Sequence, residues 1–158
     1  MVRVANLEQS LDFYCNKLGL IQTNEVHNEQ GRFTLVFLSA PDDILHANTP
    51  NAPLLELTYN WPKEVGSTEN YQSGRNFGHL AYEVKNIYDT CQKLMASGVT
   101  INRPPRDGRM AFIKSPDHIS IELLKLERAY RHKHPGPTWI ILVRGKIVLS
   151  YETHFSES

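Results

Sequence analysis

The sequence predicts an α+β protein made of two tandem βαβββ modules with curved, mostly antiparallel sheets. Three observations carry that prediction. The chain repeats itself, with Val4 aligned to Val84, Asn6 to Asn86, Leu7 to Ile87 and Leu11 to Cys91 at a constant offset of 80, and Gly19 and Gly98 closing each unit within one residue of it. Each unit carries the same punctuation, a short strand, an Asn, a helical pattern and a Gly. The remaining apolar segments are short and alternating, as half-buried strands require.

Module one opens with VRV, a strand ending at Asn6, which is suited to cap a helix; Gln9 stands where a capping box would close. Leu7, Leu11, Tyr14 and Leu18 then fall at i, i+4, i+7 and i+11, one face of a helix. Gly19 suits the left-handed residue that ends it. RFTLVFLS and PLLELTYN follow as strands, joined by the Pro- and Asn-rich connection APDDILHANTPNAP. WPKEVGSTENYQSGRN is polar and reads as the linker between modules. In module two, strand NFGHLAYEV leads to the cap Asn86 and a helix with Ile87, Cys91 and Leu94 on its inner face. VTINR, RMAFIKS and ISIELLKL supply the last three strands, with SPDH as a tight turn between the final two. The predicted domain is 1–127, made of modules 1–60 and 76–127.

The bulk properties narrow the function classes. At 158 residues the chain is one domain or two small halves sharing a core. Lys plus Arg (17) balance Asp plus Glu (17), so no charge excess calls for nucleic acid or an anionic membrane. The longest apolar runs, such as WIILV, fall far short of the roughly 20 residues that span a bilayer. No charged n-region and apolar h-region opens the chain, and two cysteines within helical patterns fit a reduced thiol pair; a cytoplasmic protein is expected.

The repeat also places candidate donors in equivalent positions. LLELT and SIELL each set an acid, Glu56 and Glu122, between aliphatic residues. Alternation turns the aliphatic neighbours to one face and the carboxylate to the other, where it must meet water, a partner or a metal. His79 stands at the entry of the first strand of module two. Taken singly, a strand Glu faces solvent and a strand-end His is structural; together they offer nitrogen and oxygen donors to a divalent ion. The offset of 80 places the equivalent of His79 at position −1, two residues before Met1. The expectation is three ligands in hand and a fourth just ahead of a misplaced or truncated start.

At VRVANLEQSLDFYCNKLGL, FTLVFLS, LLELTYNW, RNFGHLAYEVKNIYDTCQKL and AFIKSPDHISIELL, covering roughly residues 1 to 126, the sequence resembles the glyoxalase I (lactoylglutathione lyase) family of the vicinal oxygen chelate superfamily. The resemblance implies the paired-module fold, and a homodimer whose sheets enclose each metal at the subunit interface. It implies isomerisation of the methylglyoxal–glutathione hemithioacetal to S-lactoylglutathione, with a Ni²⁺ or Zn²⁺ ion stabilising the developing enediolate. Glu56, His79 and Glu122 match metal ligands, Glu122 also being the base, and the remaining ligand is a His of an HTMxRV-type start. Arg3 and Asn60 match contacts to the glutamyl end of glutathione, and Arg75 a basic contact in the eukaryote-like branch. Arg103 stands where a basic side chain meets the glycyl carboxylate. The family's PDG turn is Pro116-Asp117-His118 here, and its Lys-Gly-Gly-rich loop is shortened to PPRDGRM. Two alternatives stay open: a metal-free module that sequesters a small ligand, and an iron extradiol dioxygenase, whose site uses two His and one carboxylate.

Residues 128–158 lie outside the resemblance. RHKHPGP reads as a basic connector, and TWIILV and KIVLSYE flank Arg144-Gly145-Lys146 as an apolar hairpin. Such a hairpin covers a sheet edge, adds to a dimer contact, or has no role.

Overall fold

The computed structural model describes residues 1–50, 52–63, 67, 69–72, 74, 76–126 and 148–149. The first sheet holds β1 (Val2–Arg3), β2 (Ile21–Asn28), β3 (Phe33–Ser39) and β4 (Leu55–Asn60) in the order β1-β4-β3-β2. The second holds β5 (Leu80–Val84), β6 (Ile101–Arg103), β7 (Met110–Lys114) and β8 (Ser120–Lys125) in the order β6-β7-β8-β5. The first and last strands of each module pair parallel and the rest antiparallel. Val2 lies opposite Leu57 just as Tyr82 lies opposite Leu123, so the repeat read in the sequence is a repeat of register.

The helices show how local chemistry sets boundaries. Asn6 caps α1 (Leu7–Leu11) by accepting from Gln9 N at 2.9 Å; Asn86 caps α2 (Ile87–Ala96) by accepting from Tyr88 N and Asp89 N at 3.1 and 3.2 Å. Gly19 and Gly98 have φ of 91° and 83°, the left-handed region where a Cβ is strained. Helix α1 differs from its counterpart in one respect. After an α-helical start at Leu7–Leu11 it widens to π geometry over Asp12–Lys17, with Leu18 N reaching back to Phe13 O at 2.9 Å. The span from Asn6 to Gly19 is one residue longer than that from Asn86 to Gly98, and the wide turn absorbs the surplus.

Two expectations need amending. β2 was not among the segments read as strands, because IQTNEVHN is exposed on both faces and lacks apolar alternation. The connection after β3 contains a 3₁₀ turn, Pro41–His46, with Asp43 buried. The expected hairpin of the tail falls almost wholly outside the described residues. Its Val148–Leu149 backbone forms β9, antiparallel to β5 at Leu80–Ala81, and so covers that edge of the second sheet.

One apolar cluster spans both modules, from Val2, Val4, Phe13 and Tyr14 through Val36 and Leu57 to Leu80, Ile87, Ile113 and Leu123. Burial pushes the Tyr14 phenol up to about 12, so it packs as a neutral ring. A buried polar joint supplements the cluster. Asp117, in the turn between β7 and β8, accepts from Ala5 N at 2.9 Å and from Ser10 Oγ at 3.4 Å. The tight turn of module two thereby fixes the strand-to-helix corner of module one. Its shape depends on His118, whose φ of 62° occupies a position better suited to Gly. A charged acceptor of this kind contributes about 1.5–3 kcal/mol. Asp117→Ala is therefore expected to lower the urea midpoint by that order with an unchanged slope, followed by circular dichroism.

Candidate functional site

The second sheet brings two of the expected donors together. The parallel ladder sets Ala81 opposite Glu122, which places His79, just ahead of β5, beside the same carboxylate. His79 Nε2 lies 3.0 Å from Glu122 Oε2, with the side chains 28% and 13% exposed: sheltered, yet open to a small molecule. With Glu122 ionised, the imidazole N–H donates to it. A cation with affinity for nitrogen and oxygen would replace that shared proton.

The neighbours of the pair are fixed by register. Phe112 on β7 sits opposite Glu122, and its ring meets the His79 ring edge-on at 5.5 Å and 82°. The Arg103 guanidinium lies 5.9 Å from the centroid of the same ring, so β6 delivers a cation to this corner. Arg103 is thus brought near the pair through Phe112.

Glu56 occupies the corresponding place in the first sheet. It faces Phe37 across the β3–β4 ladder as Glu122 faces Phe112. Leu55 and Leu57 on either side are buried in the core, leaving the carboxylate on the opposite face, where Oε1 accepts from Thr58 Oγ1 at 3.2 Å. Among the described residues no three His, Cys, Asp or Glu side chains of one chain converge on a common point. The expected trio is therefore split two and one between the sheets.

Arg3 and Asn60 lie near the end of β4, away from the His79–Glu122 pair. Arg3 lies opposite Thr58, two residues before the end of β4 at Asn60. Asn60 Nδ2 donates to Glu69 Oε2 at 3.2 Å, and the Tyr71 hydroxyl donates to the same oxygen. Those two hydrogen bonds, with the nearby Arg3 and Lys63 charges, hold the Glu69 carboxyl below the usual range. Partial burial and then Glu69 itself push the Tyr71 phenol up to about 12. Asn60 and Glu69 line a cleft of about 430 Å³ with Val4, Arg32, Trp61 and Lys63. Arg75 lies outside the described residues.

Sequence reasoning missed Thr58, Phe112, Glu69 and Tyr71. Phe112 was recoverable by folding RMAFIKS and ISIELLKL back on the SPDH turn. Thr58 was recoverable too, as the residue two along from Glu56 on the same strand face. Glu69 and Tyr71 sit in an irregular linker that carries no periodic signal.

The sequence pattern of the glyoxalase/bleomycin resistance protein/dioxygenase superfamily matches residues 1–123. The chain belongs to that superfamily. The lactoylglutathione lyase of Neisseria meningitidis serogroup B is 37% identical over 130 residues, 79% of this chain and 86% of that relative. A probable lactoylglutathione lyase of Vibrio parahaemolyticus is 38% identical over 136 residues, 82% and 89% of the two chains. Among solved structures, the trypanothione-dependent glyoxalase I of Leishmania major shares 32% identity at a TM-score of 0.67, covering 79% of this chain and 82% of that one. Glyoxalase I of Zea mays, at 24% identity and a TM-score of 0.64, shows the same fold. The predicted α+β fold of two βαβββ modules is the superfamily fold. Among the described residues no helix is long and apolar enough to cross a membrane.

Proposed function

We propose that the protein is a lactoylglutathione lyase-type enzyme that isomerises the hemithioacetal of a 2-oxoaldehyde, methylglyoxal, and glutathione to the S-2-hydroxyacyl thioester. The observation that carries the reading is the 3.0 Å contact between His79 Nε2 and Glu122 Oε2, a sheltered nitrogen–oxygen donor pair at the joint of two parallel strands.

The reaction moves one proton between neighbouring carbons and another between their oxygens, and needs no oxidant. Glu122 is held by its strand so that one carboxylate oxygen faces His79 while the rest stays accessible. It takes the proton from the sulfur-bearing carbon as electrons shift toward the adjacent carbonyl oxygen, and returns it to the former carbonyl carbon, while the hydroxyl proton on the sulfur-bearing carbon passes to the neighbouring oxygen and leaves the thioester carbonyl behind. A single carboxylate serves both steps, because the acid formed in the first is the donor in the second. Phe112 closes one side of the site and limits the swing of His79. Arg103, Arg3 and Asn60 orient the substrate: glutathione ends in two carboxylates, and cationic or amide donors fix them without taking part in the proton transfer.

Glu122 and His79 suit a divalent cation such as Zn²⁺ or Ni²⁺ by donor type, and Glu56 is the third donor of this reading. When bound, the cation supplies Lewis-acid polarisation of the two vicinal oxygens. Because Glu56 lies in the other sheet of its own chain, this reading requires a homodimer in which the first sheet of one protomer faces the second sheet of its partner. Thr58, donating to Glu56, then orients that carboxylate from behind. The cytoplasm is the proposed compartment.

Glu122→Gln is expected to cut kcat by about 10²- to 10⁴-fold with an unchanged circular dichroism spectrum; near-normal thioester formation, followed by its ultraviolet absorbance, would contradict the assignment. Thr58→Val should weaken Zn²⁺ binding by about 10- to 100-fold, measured by competition with a chromogenic chelator, while the urea midpoint stays nearly constant.

A further inference from the structure

The cleft beside β4 contains an arrangement that the proton transfer does not use. Donors and positive charge are gathered there around a carboxylate that belongs to the protein itself. Asn60 Nδ2 and the Tyr71 hydroxyl both donate to Oε2 of Glu69, and the Arg3 and Lys63 charges lie close by. The wall behind them is rigid. Trp61 N donates to Arg32 O at 2.8 Å, Trp61 Nε1 donates to Thr34 Oγ1 at 2.9 Å, and Arg32 Nη2 donates to Pro62 O at 2.8 Å. Asn60 is thus anchored at the end of a strand, whereas Glu69 reaches it from irregular chain and is exposed. An exposed side chain brought in by a loop is readily exchanged for another carboxylate of the same chemistry.

We propose that Glu69 occupies, in the unliganded protein, the subsite for the α-carboxylate of the substrate's glutamyl end, and that substrate must displace it to bind. This rests on the assignment of Arg3 and Asn60 to the glutamyl end. Four features suit an α-carboxylate: an amide donor, a phenol donor and two cations, none of which is needed to hold an isolated surface Glu. Displacement leaves Glu69 within reach of the cleft mouth but without its donors. The internal carboxylate therefore sets a threshold: a thiol lacking an α-carboxylate gains nothing by displacing Glu69, and one bearing it exchanges like for like. The apparent affinity is reduced by the fraction of time the subsite is filled.

The test compares binding of two unreactive probes by calorimetry to the full chain and to Glu69→Gln. One probe is S-hexylglutathione; the other is the same thioether with the glutamyl residue replaced by γ-aminobutyryl, which lacks the α-carboxylate and keeps the ammonium. If Glu69 fills the subsite about nine-tenths of the time, Glu69→Gln tightens S-hexylglutathione on the order of tenfold and leaves the truncated probe unchanged. Unchanged affinity for both probes would overturn the proposal. So would weaker binding of S-hexylglutathione, since Glu69 would then be holding the α-ammonium instead. Glu69→Ala repeats the comparison without an amide that can re-form the contacts, and the same tightening is required of it. The underlying subsite is checked separately with Arg3→Ala. Loss of S-hexylglutathione affinity in that variant with no gain in Glu69→Gln sinks the displacement alone, whereas no loss in Arg3→Ala removes the subsite assignment itself.

Discussion

The parallel pairing of the first and last strand in each module is the constraint on which the site depends. It places Ala81 opposite Glu122 and so sets His79 beside that carboxylate. The same register decides the core, because Ile121 and Leu123 on either side of the acid are fully buried. A slip of one residue would expose both aliphatic side chains, at roughly 2 kcal/mol each, and would drive an ionised carboxylate into the apolar cluster. Core and chemistry are a single choice of register here. The His79–Glu122 contact is therefore held by hydrophobic burial far more than by its own hydrogen bond.

The first sheet repeats that choice with Leu55, Glu56 and Leu57, and Phe37 mirrors Phe112. Placing an acid at the same register in both sheets gives each module one carboxylate on the face away from the shared core. Between the modules, the apolar cluster supplies most of the cohesion and Asp117 supplies the alignment. A buried carboxylate is costly unless satisfied. Asp117 meets that condition with one backbone N–H and one hydroxyl from the other module, so the joint tolerates little rotation. The position of β8, and with it Glu122, is thus tied at its turn to the first corner of module one.

What was legible in the sequence follows from where periodic burial operates. The repeat, the two Asn caps, the two closing glycines and the inward–outward alternation around Glu56 and Glu122 could all be read, because each is a local pattern with one solution. β2 could not, since a strand exposed on both faces leaves no apolar alternation to find. Arg103 was placed by resemblance alone, and its stacking over Phe112 depends on the pairing of β6 with β7, whose register is irregular. Glu69 and Tyr71 were invisible for a different reason. Their positions follow from hydrogen bonds made by irregular chain to the end of β4, and no spacing rule encodes such contacts.

The one place where the two modules differ in helix length shows why this symmetry can persist. Module one carries an extra residue between its cap and its glycine, and the helix takes it up as π geometry. The ends of the helix stay where they are: Asn6 still caps, Gly19 still turns, and Tyr14 still packs fully buried. An extra residue in a strand would have no such outlet, because the side-chain period of two would reverse every position beyond it unless a bulge formed. The sheet does use that remedy at Gln22–Asn24, but on the outermost strand, where neither face is committed to the core. Insertions are thus absorbed in the helix and on the edge strand. The ladders β1–β4 and β5–β8, in which a shift would turn a carboxylate inward, keep the same register in both modules.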